Sequence, residues 1–249
     1  MVKRNRYLCE MRAFILAGGL GTRLQPLTNA APKVMLPVAG RPFLEILVGH
    51  LARAGVADIV LCVGYRAEAI RAHFGDGARW GVHLAYSVET RPLGTGGALR
   101  RAASGIGQTF LVLNGDSFVS LDIAALAHAH RERLLVAPAC LGTIVLARVE
   151  EAQDFGAVAV DGAGWVARFE EKTARRGGGV VNGGVYLLEP QLLDLIPPEA
   201  PTSLELDVFP RVAGRLAGFH VDAPLYDIGT PERLAEAERV LSWLGRASA

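Results

Sequence analysis

Short apolar runs alternate with segments of helical period over the first 150 residues. Residues 13–17 and 58–64 are apolar almost throughout, which is typical of strands buried on both faces. Between them, large apolar side chains recur at helical spacing over residues 42–54, with a proline near the start and Gly55 at the end. This alternation predicts βαβ units and a Rossmann-like, mixed but mostly parallel sheet flanked by helices, which is an α/β fold.

The pattern changes after Glu150. Residues 157–160, 165–170 and 180–188 are short strand-like runs separated by turn residues, so a small antiparallel region is expected there. Asp122 is expected to cap a helix that ends near residue 133, and late helices are predicted over residues 205–214 and 231–244. Without a linker or repeat, we expect one domain over residues 11–249, with halves of about 11–150 and 151–249, and residues 1–10 as a loose extension.

Composition and charge exclude several classes of protein. The formal net charge of the chain is +1 and its basic residues are scattered along the sequence. No strong positive electrostatic field that would attract nucleic acid is therefore expected. No apolar run approaches the ~20 residues of a membrane helix, so no membrane span is expected. Cys9, Cys62 and Cys140 lie far apart, which disfavours a disulfide framework or a zinc site. A cytoplasmic protein is the resulting expectation, and a homo-oligomer stays open.

Lysine is scarce in this chain. Of 26 basic residues, 23 are arginine, and the lysines are Lys3, Lys33 and Lys172. Lysine carries a compact point charge, whereas arginine presents a planar fork. In such a background, Lys33 and Lys172 are candidates for sites that require a point charge, although chance and codon bias would explain either one alone.

A glycine-rich loop follows the first predicted strand. Gly18, Gly19 and Gly21 occur within four residues and are followed by Arg23. Successive backbone N–H groups and an arginine can surround a phosphate. The loop matches neither G-x-G-x-x-G nor the G-K-[ST] ending of a Walker loop. A Rossmann turn or a turn without a ligand are the alternatives.

Two aspartates are candidate metal ligands. Asp116 follows a strongly apolar strand, at the edge where open α/β sheets bind ligands. Asp227 occurs late in the chain, in Tyr226-Asp227-Ile228-Gly229. Mg²⁺ takes oxygen ligands and commonly keeps one or two protein carboxylates beside substrate phosphates. Either aspartate alone is equally well explained as a turn or cap residue.

Considered together, these segments resemble the ordered motifs of the sugar-1-phosphate nucleotidylyltransferases. The resemblance covers about residues 11–241 and implies a nucleotidyltransferase fold with a nucleotide half and a smaller antiparallel, acceptor-binding half. The motifs are Leu16-Ala-Gly-Gly-Leu-Gly-Thr-Arg-Leu24, Pro32-Lys33, Pro92-Leu-Gly-Thr-Gly-Gly-Ala98, Asn114-Gly-Asp116, Phe169-Glu-Glu-Lys172, Asn182-Gly-Gly184 and Asp227-Ile-Gly-Thr230.

The resemblance also implies the following residue roles. Residues expected to bind the nucleotide are Leu16, Ala17, Gly18, Gly19, Gly21, Thr22, Arg23, Glu89, Gly94, Thr95, Gly96 and Asn114. Residues expected to bind the sugar phosphate are Gly156, Glu171, Lys172 and Asn182. The catalytic set is Arg23, Lys33, Asp116 and Lys172, and Mg²⁺ would be held by Asp116 and Asp227. No general base is needed, because a sugar phosphate is already a nucleophile at neutral pH and catalysis requires charge screening and alignment.

Glu89 bears on the choice of base. A carboxylate can accept two hydrogen bonds from N1–H and the exocyclic amine of guanine, which favours GTP over other nucleoside triphosphates. Within the family, the chain is most similar to the D-glycero-α-D-manno-heptose-1-phosphate guanylyltransferases of bacterial surface-polysaccharide (capsule or lipopolysaccharide) synthesis. Mannose-1-phosphate guanylyltransferases and N-acetylmuramate-1-phosphate uridylyltransferases are the rivals.

Two readings outside this reaction remain. A non-catalytic nucleotide-sugar sensor or regulatory subunit could share the fold, but such a protein would be expected to lose Arg23, Lys33, Asp116 or Asp227, and all four are present. An NAD-dependent oxidoreductase is disfavoured by the spacing of the first glycines and by the absence of a fitting acidic residue after the second strand.

Overall fold

The computed structural model describes residues 6–29, 31–149, 156–170 and 177–246. Strands and helices are interspersed over residues 6–136, and mainly strands follow before the last helix. The strands are β1 Arg12–Ala17, β2 Pro37–Val38, β3 Arg41–Pro42, β4 Asp58–Val63, β5 His83–Val88, β6 Phe110–Asn114, β7 Ser117–Val119, β8 Gly142–Val149, β9 Ala157–Val160, β10 Val166–Glu170, β11 Gly179–Leu188, β12 Leu216–Val221 and β13 Leu225–Asp227. The helices are α1 Arg6–Glu10, α2 Phe43–Ala54, α3 Ala67–Phe74, α4 Gly94–Ala102, α5 Ile123–Val136 and α6 Pro231–Arg246.

The chain forms two compact units that interleave along the sequence. The first unit comprises Met1–Pro92, Asn114–Phe118 and Tyr226–Ala249, and the second comprises Leu93–Leu113 and Val119–Leu225. Each unit therefore contains segments that are far apart in the sequence.

Parallel strands form the centre of the first unit. β1 pairs with β4, and β4 pairs with β5, both in parallel. Ala13, Phe14 and Ile15 of β1 are fully buried. Helix α2 buries the apolar face predicted from its spacing, and Gly55 ends it with a φ of 88° and an N–H bonded to the last helical turn. This unit has the predicted βαβ character.

The second unit is built around β11. This strand pairs antiparallel with β6, β8 and β9, and β9 pairs antiparallel with β10. Asp122 caps α5 as predicted, since its carboxylate accepts hydrogen bonds from Ala124 N at 2.8 Å and Ala125 N at 3.1 Å. The predicted mixed α/β fold and the antiparallel pairing after residue 150 are confirmed.

Two predictions about local structure need correction, and some strands were not predicted. Residues 6–10 form a helical turn whose Leu8 is 2% exposed, so this part of the expected loose extension packs through an apolar side chain. Residues 205–214 do not form an α-helix. They form a π turn over Leu204–Val208 and a 3-10 turn over Phe209–Val212, because Pro210 has no backbone N–H to continue a helix. Strand β12, which pairs parallel with β8, was not predicted.

The described helices also bear on membrane insertion. Among residues 6–29, 31–149, 156–170 and 177–246, none combines the length and the apolar character that a membrane span requires.

Candidate functional site

The glycine-rich loop leaves the carboxyl end of β1 in the first unit. Gly21 has a φ of 64°, and its carbonyl accepts hydrogen bonds from Leu24 N at 2.9 Å and Thr28 Oγ1 at 3.0 Å. A Cβ at Gly21 would lie 2.9 Å from both Lys33 Cβ and Thr28 Cγ2. Both the backbone conformation and the close packing therefore require glycine here. Beyond this turn, Thr22 and Arg23 are exposed.

Glu89 lies against this loop. It follows β5, and its N–H donates to Val63 O at 2.9 Å. Its Oε1 would lie 2.5 Å from a Cβ on Gly18 and 2.9 Å from a Cβ on Gly64. The structure thus places the predicted base-reading carboxylate directly over a glycine of the predicted triphosphate loop.

The charge of Glu89 also affects the pKa of the neighbouring Cys62 thiol. Burial, and secondly the negative charge of Glu89, raise the pKa of Cys62 to about 12. Cys62 is therefore a protonated, structural residue of β4.

Lys33 and Asp116 form a close ion pair in the first unit. Lys33 Nζ lies 2.6 Å from Asp116 Oδ2, and the lysine residue is 8% exposed. Asp116 is held in place by the preceding Gly115, whose N–H donates to Leu16 O at 2.9 Å. A Cβ on Gly115 would lie 2.6 Å from that oxygen. The Asn114-Gly115-Asp116 turn is therefore fixed against β1, next to the start of the glycine-rich loop.

Asp227 lies on the segment bonded to this turn. Ile228 N donates to Asp116 O at 2.9 Å, which joins the turn that carries Asp116 to the residue directly after Asp227. Asp227 Oδ1 accepts from Gly229 N at 2.7 Å, and its Oδ2 accepts from Arg233 Nη1 at 2.8 Å. The structure thus joins, through the backbone, two segments whose aspartates are 111 positions apart in the sequence.

Arg23 extends toward the same segment. Its Nη2 would lie 3.6 Å from a Cβ on Gly229, two residues after Asp227. The predicted catalytic residues Arg23, Lys33 and Asp116 and the metal candidate Asp227 are therefore grouped in the first unit.

The donor set of this group fits Mg²⁺. In the part of the chain that the structure describes, no cluster of three or more His, Cys, Asp or Glu side chains could hold a metal ion. Mg²⁺ in nucleotide sites needs fewer protein ligands, because substrate phosphates and water supply the remaining oxygens. Asp116, whose side chain is 44% exposed, and the more buried Asp227 are oxygen donors of this kind.

The second glycine-rich turn belongs to the second unit and begins α4. Gly94 has a φ of 70°, and a Cβ there would lie 2.5 Å from Thr202 O. That same carbonyl accepts hydrogen bonds from Gly96 N at 2.8 Å and Gly97 N at 3.3 Å. Two N–H groups of the turn are thus bonded within the protein, and the glycines permit close approach to the segment at Thr202.

The residues expected to bind sugar are only partly described. Asn182 N donates to Gly156 O at 3.3 Å, so these two are adjacent in the second unit. Asn182 Nδ2 also donates to Tyr186 OH at 2.9 Å. The predictions for Glu171 and Lys172 fall outside the described residues.

Sequence reasoning missed a set of polar residues near Asn182. Thr95 Oγ1 donates to Glu205 Oε2 at 2.7 Å, and Tyr186 OH donates to Glu205 Oε1 at 3.2 Å. The carboxylate of Glu205 is thus hydrogen-bonded both to Thr95, a predicted nucleotide-binding residue, and to Tyr186, the hydrogen-bond partner of Asn182. No short motif signalled it, because the residues that meet are up to 110 positions apart.

Known proteins of similar sequence indicate the family of this chain. The profile of the nucleotidyl transferase family matches residues 12–242. The chain is 38% identical over 229 residues to the mannose-1-phosphate guanylyltransferase of Mycobacterium tuberculosis, covering 90% of this chain and 62% of that protein. It is 34% identical over 225 residues to the D-glycero-alpha-D-manno-heptose 1-phosphate guanylyltransferase of Campylobacter jejuni, covering 89% of this chain and 96% of that protein.

A solved structure is similar as well. The crystal structure of HddC from Yersinia pseudotuberculosis complexed with GMP-PN has a TM-score of 0.80 and 32% sequence identity, covering 92% of this chain and 98% of that chain. This chain spans about three fifths of the length of the mannose-1-phosphate enzymes that it matches. With the matched profile extending over nearly all of its residues, the chain belongs to the nucleotidyl transferase family.

Proposed function

We propose that the protein transfers a nucleoside monophosphate from a nucleoside triphosphate to a sugar 1-phosphate, giving a nucleotide sugar and pyrophosphate. The observation that carries the proposal is the 2.6 Å contact between Lys33 Nζ and Asp116 Oδ2, on a turn bonded to the strand that leads into the glycine-rich loop. A cation and a metal-binding carboxylate beside a phosphate loop are the groups that nucleotidyl transfer requires.

GTP is the proposed nucleotide. Glu89 lies over Gly18, where its carboxylate can accept hydrogen bonds from the Watson–Crick edge of guanine. Two further observations support this choice. The relatives named above are guanylyltransferases, and HddC was crystallised with the guanine nucleotide GMP-PN.

D-glycero-α-D-manno-heptose 1-phosphate is the proposed acceptor, and mannose 1-phosphate is the second candidate. The Campylobacter jejuni heptose enzyme is covered over 96% of its length, which supports heptose. The higher identity of 38% to a mannose-1-phosphate enzyme supports the alternative. The product would serve cytoplasmic synthesis of a nucleotide sugar for a bacterial surface polysaccharide.

The reaction can be written as one substitution at phosphorus. An oxygen of the sugar phosphate forms a bond to the α-phosphorus of GTP, the bond from that phosphorus to the bridging oxygen breaks, and pyrophosphate leaves with the electron pair. Arg23 and Lys33 would neutralise charge on the α-phosphate and the leaving group, and the loop glycines would orient the triphosphate. Mg²⁺, when bound by Asp116 and Asp227, would supply further screening of the phosphate charges.

A pyrophosphate-release assay tests the proposal. Four nucleoside triphosphates are combined with the 1-phosphates of mannose, glucose, N-acetylmuramate and D-glycero-α-D-manno-heptose. We expect turnover with GTP and with a manno-configured sugar. Turnover with UTP and the N-acetylmuramate compound would instead identify a uridylyltransferase. No turnover with any pair, together with retained binding of a nucleotide sugar, would identify a sensor.

The metal ligands are tested in the same assay. Asp116→Asn and Asp227→Asn should each abolish Mg²⁺-dependent pyrophosphate release while the circular dichroism spectrum stays that of the wild type. Asp58→Asn is the matched control, because Asp58 lies on β4 and forms an exposed ion pair with Arg12 of β1. Full activity in either site variant would contradict the metal assignment.

A further inference from the structure

Three hydroxyl groups of the second unit converge on the carboxylate of Glu205. Thr95 Oγ1 donates to Glu205 Oε2 at 2.7 Å, and Ser203 Oγ donates to the same oxygen at 3.1 Å. Tyr186 OH donates to the other oxygen, Oε1, at 3.2 Å. An ionised carboxylate can only accept hydrogen bonds, so each hydroxyl must direct its one hydrogen toward Glu205.

Because the hydrogen of each hydroxyl points toward Glu205, the hydroxyl oxygen is available to accept a hydrogen bond from an N–H group. Thr95 Oγ1 accepts from Leu204 N at 2.8 Å. Ser203 Oγ accepts from Leu206 N at 3.2 Å. Glu205 therefore determines the orientation of both hydroxyls and, through them, holds the π turn Leu204–Val208 to the beginning of α4.

The hydroxyl of Tyr186 also determines how the Asn182 amide is hydrogen-bonded. Because Tyr186 OH donates to Glu205, its oxygen accepts, and Asn182 Nδ2 donates to it at 2.9 Å. On the other side of the amide, Gly184 N donates to Asn182 Oδ1 at 2.9 Å. Both ends of the Asn182 amide are thus assigned, and only one rotamer of the group satisfies both partners. An amide held in this way presents its second N–H in a fixed direction.

Packing favours the same arrangement. Tyr186 is completely buried, and its ring packs edge-on against Phe209 with 5.0 Å between ring centres. The aromatic ring therefore cannot turn its hydroxyl away from Glu205 without moving the core of the second unit.

We propose that Glu205 is a positioning residue for the acceptor site, which orients the Asn182 amide through Tyr186 and does not itself touch the substrate. The inference rests on the proposed function, because Asn182 is the residue expected to meet the sugar. Removal of the charge of Glu205 allows Tyr186 OH to reverse, and the Asn182 amide then loses its single orientation. The consequence is weaker binding of the sugar 1-phosphate.

The test is a double-mutant cycle of Glu205→Gln and Tyr186→Phe. Both changes conserve shape, and Phe retains the ring contact with Phe209. We expect each single variant to raise the KM for the sugar 1-phosphate about tenfold, which corresponds to the loss of one hydrogen bond to a charged group. The KM for GTP should stay within about twofold of wild type in Tyr186→Phe. Since both residues act through one relay, the double variant should be no worse than either single one.

A matched control separates positioning from stability. Glu189→Gln makes the same chemical change in another hydrogen-bonded carboxylate of the second unit, and Glu189 lies about 20 Å from Asn182 along β11 by strand rise. It should lower the melting temperature without changing the KM for the sugar phosphate. Unchanged KM in Glu205→Gln, or a double variant with the product of the two single effects, would overturn the proposal.

Calorimetry keeps this test independent of turnover. Binding of mannose 1-phosphate and of D-glycero-α-D-manno-heptose 1-phosphate is measured for the wild type and the variants. Weaker binding by both single variants, even with no pyrophosphate release by the wild type, would support the positioning role and reject the enzymatic proposal alone. Equal binding in all proteins, or no binding by the wild type, would reject the positioning role.

Discussion

Lys33 places its ammonium nitrogen 2.6 Å from Asp116 Oδ2, across 83 positions of the sequence. The lysine side chain is 10% exposed, whereas that of Asp116 is 44% exposed. A buried ammonium group requires a partner, but a half-exposed carboxylate keeps part of its hydration. Lys33 therefore depends on this ion pair more than Asp116 does.

Lys33→Met should remove activity while leaving the fold intact. The substitution leaves Asp116 in contact with water, so the cost to folding is small. The loss of the cation that is proposed to neutralise the α-phosphate should lower pyrophosphate release by about 100-fold or more. Lys33→Arg should restore only part of the rate, since Lys33 Cβ is packed against Gly21 and a planar fork does not replace a point charge.

Arg12→Met is the control for Lys33→Met. It breaks an ion pair of similar length, 2.7 Å between Nε and Asp58 Oδ2, but with the arginine side chain 48% exposed. The rate should be unchanged and the stability lower by about 1 kcal/mol at most. More than half of the wild-type rate in Lys33→Met would refute a role of the lysine in the reaction.

Gly18→Ala should weaken the discrimination between bases. The new methyl group would lie 2.5 Å from Glu89 Oε1, the far end of a flexible side chain, so the carboxylate moves and the backbone does not. We expect a lower ratio of kcat/KM for GTP to that for UTP, with little change in melting temperature. Gly107→Ala is the control, because Gly107 lies outside the predicted site and, among the described residues, nothing lies within 4 Å of a Cβ there. An unchanged ratio of kcat/KM for GTP to that for UTP in Gly18→Ala would contradict a role of Glu89 in base recognition.

Much of the fold could be predicted because its signals are local. The apolar period of α2, the cap at Asp122 and the apolar runs of β1 and β4 each lie within one short segment. Strand β12 could not be predicted in this way. Its sequence, Leu-Ala-Gly-Phe-His-Val, has weak alternation, and it is ordered by its parallel pairing with β8 some 70 positions earlier.

The candidate site likewise contains residues that local motifs predict and residues that they do not. Gly18, Lys33 and Asp116 belong to contiguous motifs, so their residue types were visible in the sequence. The relay from Glu205 to Asn182 was not, since its members are joined only by the topology of the second unit. Likewise, the carbonyl of Thr202 gives the second glycine turn a packing role that no local pattern indicates.

One of the three cysteines should react with thiol reagents in the native protein. Burial and the charge of Glu89 raise the pKa of Cys62 to about 12, and burial raises the pKa of Cys140. Cys9 is exposed. Because the thiolate is the nucleophile, labelling near pH 8 should modify Cys9 alone and all three after denaturation. Cys9→Ser should prevent native labelling, and rapid native labelling of that variant would contradict the burial of the other two thiols.

Glu189 should make stability depend on pH in the acid range. Burial alone would raise the pKa of Glu189, but hydrogen bonds from the buried His130 at 3.1 Å and from Thr109 at 2.5 Å, with the charge of His130, hold that pKa below its usual value. The unfolded carboxyl group, with a pKa of about 4.3, therefore binds a proton more readily than the folded one. The stabilisation is present above that pH and is lost as the pH falls through the folded pKa.

Urea unfolding of the wild type and Glu189→Gln at several pH values measures this effect. The wild type should be the more stable protein at neutral pH, and the difference in the free energy of unfolding should shrink as the pH falls below about 4.3. Asp58→Asn, in the exposed pair with Arg12, should differ from wild type by about 1 kcal/mol or less throughout. A difference between wild type and Glu189→Gln that stays constant with pH would mean that Glu189 acts by packing alone, because a group that titrates equally in both states cannot change the slope.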